Sequence, residues 1–475
     1  MAIDVSPALR SLLNEVTEGR EADFLSQTGL KLPARFRFNG LKHSREFQES
    51  LLTAEGFDFR PCEASTDVYE CRPPARSPGR SLAHCLGDIY IQDLASMLPA
   101  RVLGPRPGEC VLDLCAAPGS KTTQLAELMQ NQGLILANDS SNRRIRGLVF
   151  NLRRLGAANV CVMKGYGELY GNQYFESFDR VLLDAPCSAL GTLHKSPEVL
   201  DWWQPARSER LAVQQRSLLH SGLKALKPGG VLVYSTCTIA PEENEAVIDF
   251  ALERFPVILE EFQLPGLKVR PGLTSHSGRI YSPTLVRAAR IHPYENPCEG
   301  FFIARLRKTA SFGQARFRKP PRRCHPFLEM SDERVAAELD GLAAHFDFPP
   351  EVFEPYRWNI SSELSGVAAQ AAAFPFHEEP VRSGLPIAHL RNRPTRLTTE
   401  GTHLVGAGAR CGVCVLDGWT EAFAYANRED LHPALSGSGQ VIVRFRDQPL
   451  GHALLDGEVL LSRFPRTGWI FGPTD

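Results

Sequence analysis

The chain has 475 residues, 43% of them hydrophobic and 23% charged, with a formal net charge of −1. That length predicts about two to four domains, and the composition excludes disordered, collagen-like and disulfide-scaffold classes, its 12 cysteines being dilute and without framework spacing. No uncharged apolar run approaches the ~18 residues of a membrane span, and Met1 to Ser6 contains an early acid instead of a signal-peptide core. The expectation is a cytoplasmic protein in a reducing compartment, with no membrane partner; the net charge suggests no partner by itself, and any nucleic-acid surface must come from local clusters of Lys and Arg.

In chain order, residues 1–80 read as a small N-terminal α/β cap that binds RNA. Ala8 to Glu21 has helical spacing, and Arg35-Phe36-Arg37-Phe38 alternates with period two, which predicts Phe36 and Phe38 inward and both arginines toward solvent. Residues 81–307 repeat strand, turn and helix. The predicted strands are Val111–Leu114, Leu134–Asp139, Val160–Met163, Arg180–Leu183 and Gly230–Tyr234, with Gly300–Leu306 a late strand that closes the sheet. This alternation predicts a doubly wound parallel α/β sheet of Rossmann type. From Glu299 to Glu329 no acid intervenes, whereas Arg305, Arg307, Lys308, Arg316, Arg318, Lys319, Arg322 and Arg323 are basic. Residues 308–330 therefore read as a basic linker, solvated or in contact with phosphate. Residues 331–390 form an intermediate α/β segment with a helix over Asp332–Phe348. Residues 391–475 carry short strands between glycines, as in a small β-barrel. Cys411-Gly412-Val413-Cys414 has zinc-pair spacing, but no second pair follows; it reads as a strand, and no metal is predicted.

Chemistry is expected where parallel strands end, since open α/β sheets bind ligands in the crevice beyond those ends. Asp113-Leu114-Cys115-Ala116-Ala117-Pro118-Gly119-Ser120-Lys121-Thr122 joins the first strand to a helix. Its small residues admit a ligand to the backbone, and the helix N-terminus favours an anion. The triphosphate-loop reading fails because that loop needs adjacent Gly-Lys and an earlier glycine, where this chain has Ser120 and Cys115. Asp139, closing the second strand, suits a ribose diol. An adenosine cofactor with a carboxylate, S-adenosyl-L-methionine, fits both features. Asp184-Ala185-Pro186-Cys187 and Ser235-Thr236-Cys237 then place two thiols at neighbouring strand ends. A thiolate adding to carbon 6 of a pyrimidine makes carbon 5 nucleophilic toward a methyl group. A second group must help the carbon-5 proton leave, and Asp184 is placed to bond the pyrimidine edge. The residues alone do not say which thiol attacks, nor whether the base is cytosine or uracil.

These motifs resemble the Nop/Sun family of RNA 5-methylcytosine methyltransferases. Lys227-Pro228-Gly229-Gly230, Gln92-Asp93-Leu94-Ala95-Ser96-Met97, Pro241-Glu242-Glu243-Asn244-Glu245 and His292-Pro293 before Gly300-Phe301-Phe302 extend the likeness over about residues 30 to 307. The resemblance implies Cys237 as nucleophile, Cys187 as the group that assists product release, and Asp184 at the base or cofactor. It also implies cofactor contacts from Cys115, Ala116, Ala117, Pro118, Gly119, Ser120, Lys121 and Asp139. Arg144 matches a family arginine, with an ordinary helix-surface role as the alternative. Tyr166 stands where many relatives carry an acid. Val381-Arg382-Ser383-Gly384-Leu385-Pro386-Ile387, with Gln448-Pro449-Leu450-Gly451-His452 and Ser462-Arg463-Phe464-Pro465-Arg466, resembles the PUA-like extension of bacterial members acting on 16S ribosomal RNA. The implied substrate is a cytosine in ribosomal RNA, free or within a small-subunit precursor, and not DNA. The alternatives are a tRNA cytosine-5 methyltransferase and an inactive RNA-binding assembly factor.

Overall fold

The computed structural model describes residues 5–63, 65–72, 77–313, 324, 326–390 and 394–473. The helix Pro7–Val16 starts at Ser6, whose hydroxyl accepts a hydrogen bond from the Leu9 amide at 3.2 Å. Its buried face, Leu9, Leu12, Leu13 and Val16, packs on Leu190, Leu193, Trp203, Ile239 and Ala240. Those partners lie just past Cys187 and Cys237, so this helix braces both cysteine loops from behind.

Four antiparallel strands follow: β1 (Arg35–Phe38), β2 (Phe59–Cys62), β3 (Ser65–Cys71) and β4 (Ile89–Ile91), in the order β2-β3-β1-β4. The sheet thus runs past the boundary expected at residue 80. Every residue of β1 is buried, which corrects the reading of Arg35 and Arg37 as solvent-facing: each is only 3% exposed. Arg35 Nε and Nη2 donate to Glu70 Oε1 at 2.9 and 2.7 Å. Arg37 donates to the Glu127 carboxylate and, at 2.8 Å, to Thr123 Oγ1. Period two identifies two faces; it does not say that only one is covered. Here the phenylalanine face packs against the end of the chain, including Phe445 and Leu450, while Arg37 reaches the helix Ser120–Leu128 of the next domain.

The central sheet contains β5 (Cys110–Asp113), β6 (Leu134–Asp139), β7 (Val160–Lys164), β8 (Phe178–Asp184) and β9 (Leu226–Thr236), all parallel, in the order β7-β6-β5-β8-β9. Each predicted strand is present, and the fold is the doubly wound methyltransferase type expected. The chain winds outward from β5 to β7, then returns to place β8 on the other side of β5. The crevice at that reversal opens between Asp113, Asp139 and Asp184. Phe301–Lys308 adds antiparallel to β9 and extends the sheet. Between β6 and β7 the helix Asn142–Leu155 buries Ile145, Leu148, Leu152 and Leu155 at helical spacing and leaves most of its arginines outward.

Arg305 and Arg307 belong to that added strand and pair with Glu260, and Lys308 is buried, donating to the Leu223 and Leu226 carbonyls at 3.0 and 2.7 Å. They are sheet residues, not free linker charges. The linker residues Arg316, Arg318, Lys319, Arg322 and Arg323 lie outside the described residues. Downstream, the helix Glu333–Phe346 precedes a four-stranded sheet that includes Tyr356–Ile360, Glu363–Ala368 and Leu385–His389. The stretch Val381–Ile387, read as part of the PUA-like resemblance, is divided: Arg382–Ser383 pairs with β7 on the outer edge of the central sheet, and Leu385–His389 joins the intermediate sheet. Val413–Leu416, Gly437–Phe445, Gln448–Gly457 and Val459–Ser462 make a last sheet whose outer strands do not pair with each other, so the described strands are not a closed barrel. His43 joins the chain's two ends, its ring nitrogens lying 2.7 Å from Asp88 Oδ1 and 2.7 Å from the Pro449 carbonyl. Of the segment read as a strand only Val413 and Cys414 belong to one, Val413–Leu416; the exposed Cys411 lies in the bend before it and Cys414 is buried.

Removing one partner of a buried ion pair leaves the other uncompensated. Arg37→Ala should therefore cost about 3 kcal/mol of unfolding free energy, toward the low end for such pairs because Glu127 keeps some solvent contact. Denaturant unfolding with an unchanged midpoint would show that the pair is energetically idle.

Candidate active site

β5 delivers Asp113, and the chain turns through Leu114–Gly119 into the helix Ser120–Leu128. Gly119 has φ +101°, and a Cβ there would lie 2.8 Å from Leu148 Cδ1, so no other residue fits without displacement. No side chain caps this helix, leaving its first amides directed at the crevice. The turn is held by Ala116 donating to the Asn138 carbonyl at 2.8 Å and by Asn138 Nδ2 donating to the Leu114 carbonyl at 3.0 Å. Burial pushes the Asp113 carboxyl up to about 7, opposed by the 2.7 Å hydrogen bond from Thr122 and reinforced by Asp184 and Asp139. Burial and the same three carboxylates hold the Cys115 thiol well above its usual range.

Asp139 ends β6 beside this turn. Its Oδ1 accepts from the Ser141 amide at 2.9 Å, and its Oδ2 lies 3.1 Å from Arg144 Nη1. Arg144 also donates to the Ala117 carbonyl, which places it in the constellation and not on the free helix surface. Tyr166, just past β7, is 70% exposed.

β8 and β9 supply the other half. Lys121 Nζ donates to Asp184 Oδ2 at 2.7 Å and to Ser96 Oγ at 3.0 Å, while Ser235 Oγ donates to Asp184 Oδ1 at 2.7 Å. Burial disfavours the Lys121 charge, but Asp184 outweighs it and raises the pKa. Lys121 thus points from the cofactor loop toward the strand that carries Cys187. The two sulfurs, Cys187 Sγ and Cys237 Sγ, are 3.3 Å apart, both cysteines being free thiols. The hydrogen bond with Cys237, then burial, then the nearby Glu243 carboxylate drive the Cys187 pKa well above its usual value. Either sulfur can be the donor of the bond between them. Gly191 donates to the Cys237 carbonyl at 2.9 Å and accepts from Gly300 at 2.8 Å, a contact so close that a Cβ on Gly191 would sit 2.1 Å from the Gly300 oxygen.

The profile of the family described as 16S rRNA methyltransferase RsmB/F matches residues 100–307. Ribosomal RNA small subunit methyltransferase F of Cronobacter sakazakii is 33% identical over 455 residues, covering 94% of this chain and 92% of that protein. The chain belongs to this family. It is an RNA cytosine-C5 methyltransferase. The RsmB/F likeness has neighbours with other targets: a tRNA (cytosine(49)-C(5))-methyltransferase of Pyrococcus abyssi is 44% identical over 57% of this chain and 87% of its own. Among solved structures, a methyltransferase homologue from Pyrococcus horikoshii is 36% identical with a TM-score of 0.56, covering 64% of this chain and 100% of that one. NSun6 from the same organism, 24% identical with a TM-score of 0.57 over 64% of this chain and 99% of that one, shares the fold. Among the described residues no helix is long and apolar enough to cross a membrane.

In this RsmB/F chain the structure gathers the residues read from sequence at one sheet edge, with Tyr166 at the exposed margin. It adds residues whose roles sequence reasoning missed: Ser96, Ser235 and Glu243. Ser96 and Glu243 lie inside motifs quoted for the family resemblance, so the signal was present without a partner to interpret it. Glu243 accepts from the Ser188 amide at 2.9 Å and from Gln215 at 3.0 Å, fixing the loop beyond Cys187. Asp93, His194 and Glu299 also converge, their ligand-type atoms within 4.8 Å of one another. Burial raises both carboxyls, Glu299 to about 7 with the neighbouring Asp93 adding to the rise.

His276 bridges Glu15 Oε1 at 2.7 Å and Glu242 Oε1 at 3.1 Å, tying the N-terminal helix to the loop after Cys237. The Glu242 hydrogen bond raises its pKa against the effect of burial. A raised folded-state pKa gives stability that is complete below the ordinary histidine value of about 6.5 and is lost as pH climbs through the folded value. Thermal unfolding of the native chain should therefore decline across that interval, and His276→Asn should remove that part of the decline. Identical pH profiles for the two proteins would deny the bridge any energetic role.

Proposed function

We propose that this chain methylates carbon 5 of a cytosine in 16S ribosomal RNA, using S-adenosyl-L-methionine and a covalent cysteine–pyrimidine adduct. The observation that carries the reading is the 3.3 Å thiol pair set beside the Lys121–Asp184–Ser235 network. The crevice around Gly119 fits the cofactor: an uncapped helix N-terminus for its carboxylate, close backbone approach, and Asp139 for its ribose. When bound, the cofactor supplies an electrophilic methyl group on a sulfonium centre.

The chain's own residues supply the remainder. Of the paired sulfurs, Cys237 is the one that attacks carbon 6 in this reading, as the family resemblance implies, with Cys187 Sγ 3.3 Å away from it. Asp184, held from both sides by Lys121 and Ser235, presents a fixed carboxylate to the pyrimidine edge where charge develops. After methyl transfer the carbon-5 proton leaves to water, the electron pair of that C–H bond re-forms the ring double bond, and the Cys237–carbon bond breaks; Cys187, next to the adduct sulfur, assists this release. Residues 1–80 and the PUA-like residues 391–475 hold the RNA in this reading, and the enzyme acts in the cytoplasm. Ribosomal RNA is favoured as substrate because the small-subunit relative of Cronobacter matches 94% of the chain, tail included, whereas the tRNA relative matches 57%. A cytosine-resolved methylation map of total RNA, with and without this protein, distinguishes the two.

The division of labour has a direct test. Cys237→Ala should abolish methylation without forming an adduct, while Cys187→Ala should accumulate an RNA–protein complex that survives denaturing electrophoresis. The opposite pattern would exchange the two roles.

Cofactor binding provides another. A charged hydrogen bond contributes about 1.5–3 kcal/mol, so Asp139→Ala should weaken S-adenosylmethionine binding roughly ten- to a hundredfold. Tyr166→Phe, at an exposed hydroxyl, should change it far less. Calorimetry that ranks the two losses the other way would move the adenosine away from β6.

A further inference from the structure

A groove of about 900 Å³ lies outside the catalytic constellation, between the helix Asn142–Leu155, the N-terminal Lys42 and the end of the chain. Its walls include Lys42, Arg146, Arg463 and Arg466, and among the described residues none of these four has a carboxylate within ion-pairing distance. The groove's one lining acid, Glu400, is already bound by Arg153 Nε at 2.6 Å. Three histidines of the walls do not add to the charge: burial pushes His84 and His452 down to about 4 and His403 well below its usual value. Burial likewise lowers Lys42 to about 8, against the opposing pull of Asp88 and Glu400, neither of which forms an ion pair with it. Two large rings face the same space, Phe150 at 63% and Trp469 at 40% exposure.

Cations interleaved with exposed rings are what sequence-tolerant binding of single-stranded nucleic acid requires: phosphates meet the charges, and bases stack on the rings. An acidic peptide would use the charges and leave the rings idle. We propose that this groove holds a single-stranded stretch of the RNA substrate away from the target base, with phosphates on Lys42, Arg463 and Arg466 and bases on Phe150 and Trp469. The proposal rests on the reading that the substrate is RNA. The helix Asn142–Leu155 connects the two places, since its first turn carries Arg144 to Asp139 and its later turns carry Arg146 and Phe150 into the groove. The groove also joins three parts of the chain that sequence reasoning separated, so it exists only when the tail is docked on the core.

The test uses the full chain and a short fluorescein-labelled single-stranded RNA of mixed sequence, with anisotropy followed across salt concentration. Arg463→Glu with Arg466→Glu should weaken binding at least tenfold and flatten the log–log salt slope by about 1.4, two phosphates at about 0.7 each. Phe150→Ala with Trp469→Ala should weaken binding about tenfold and leave the slope unchanged. Calorimetry should give both variants native affinity for S-adenosylmethionine, which establishes that the core is folded. RNA affinity and slope equal to the native chain in both variants overturn the proposal. Displacement of the labelled RNA by polyglutamate as readily as by unlabelled RNA also overturns it, in favour of a plain cationic surface. Methylation of 16S RNA by the native chain is scored separately: its absence would defeat the methylation reading while the binding series still decides the groove.

Discussion

Two sulfurs 3.3 Å apart, just past the ends of neighbouring strands, are the contact on which the rest of the site depends. The geometry requires two parallel strands that end side by side. β8 and β9 pair in register up to Asp184 opposite Ser235, so the residues that follow leave the sheet side by side. Asp184 and Ser235, the last such pair, are themselves hydrogen-bonded, which locks the two exits together.

Around this contact the protein balances an unusual density of acid. Asp113, Asp139 and Asp184 end three adjacent strands, and each has its own partner: Thr122, Arg144 and Lys121 respectively. The partners are neutral for the deepest carboxyl and cationic for the other two, in keeping with the raised pKa of Asp113. The same economy holds between domains. Arg37 leaves the N-terminal sheet to pair with the cofactor helix, and Arg290, fully buried, clasps Glu245 with two hydrogen bonds of 2.6 Å beneath the loop after Cys237. Removal of any of these partners leaves a buried charge, so the surrounding shell is held in place by cost as much as by attraction.

The outer parts of the chain are coupled to the core more closely than a series of beads. The N-terminal helix packs behind both cysteine loops, Arg382–Ser383 extends the central sheet, and His43 joins the first domain to the last. RNA-facing surfaces can therefore be assembled from all three regions at once, as in the groove lined by Lys42, Phe150 and Arg466.

The parallel core was legible in the sequence because buried strands are continuous apolar runs, and their ends are marked by the acids and glycines that a ligand crevice needs. Leu134–Asp139 and the turn at Gly119 carry that information locally. The pairing of Cys187 with Cys237 was legible as proximity, since strand order follows from crossover length, but not as a 3.3 Å contact, which only the packing of the two loops decides. Arg35 and Arg37 were misplaced for a related reason: alternation reports two faces, and only tertiary packing decides whether the second face meets water or Glu70 and Glu127, 35 and 90 residues along the chain. The division of Arg382–Ser383 and Leu385–His389 between two sheets was equally invisible, because a strand's partner is set by which edge remains open once the rest has folded. Local residue chemistry determined the crevice and its candidate groups; long-range burial decided which charges are paired, how close the two sulfurs lie, and which surfaces remain free.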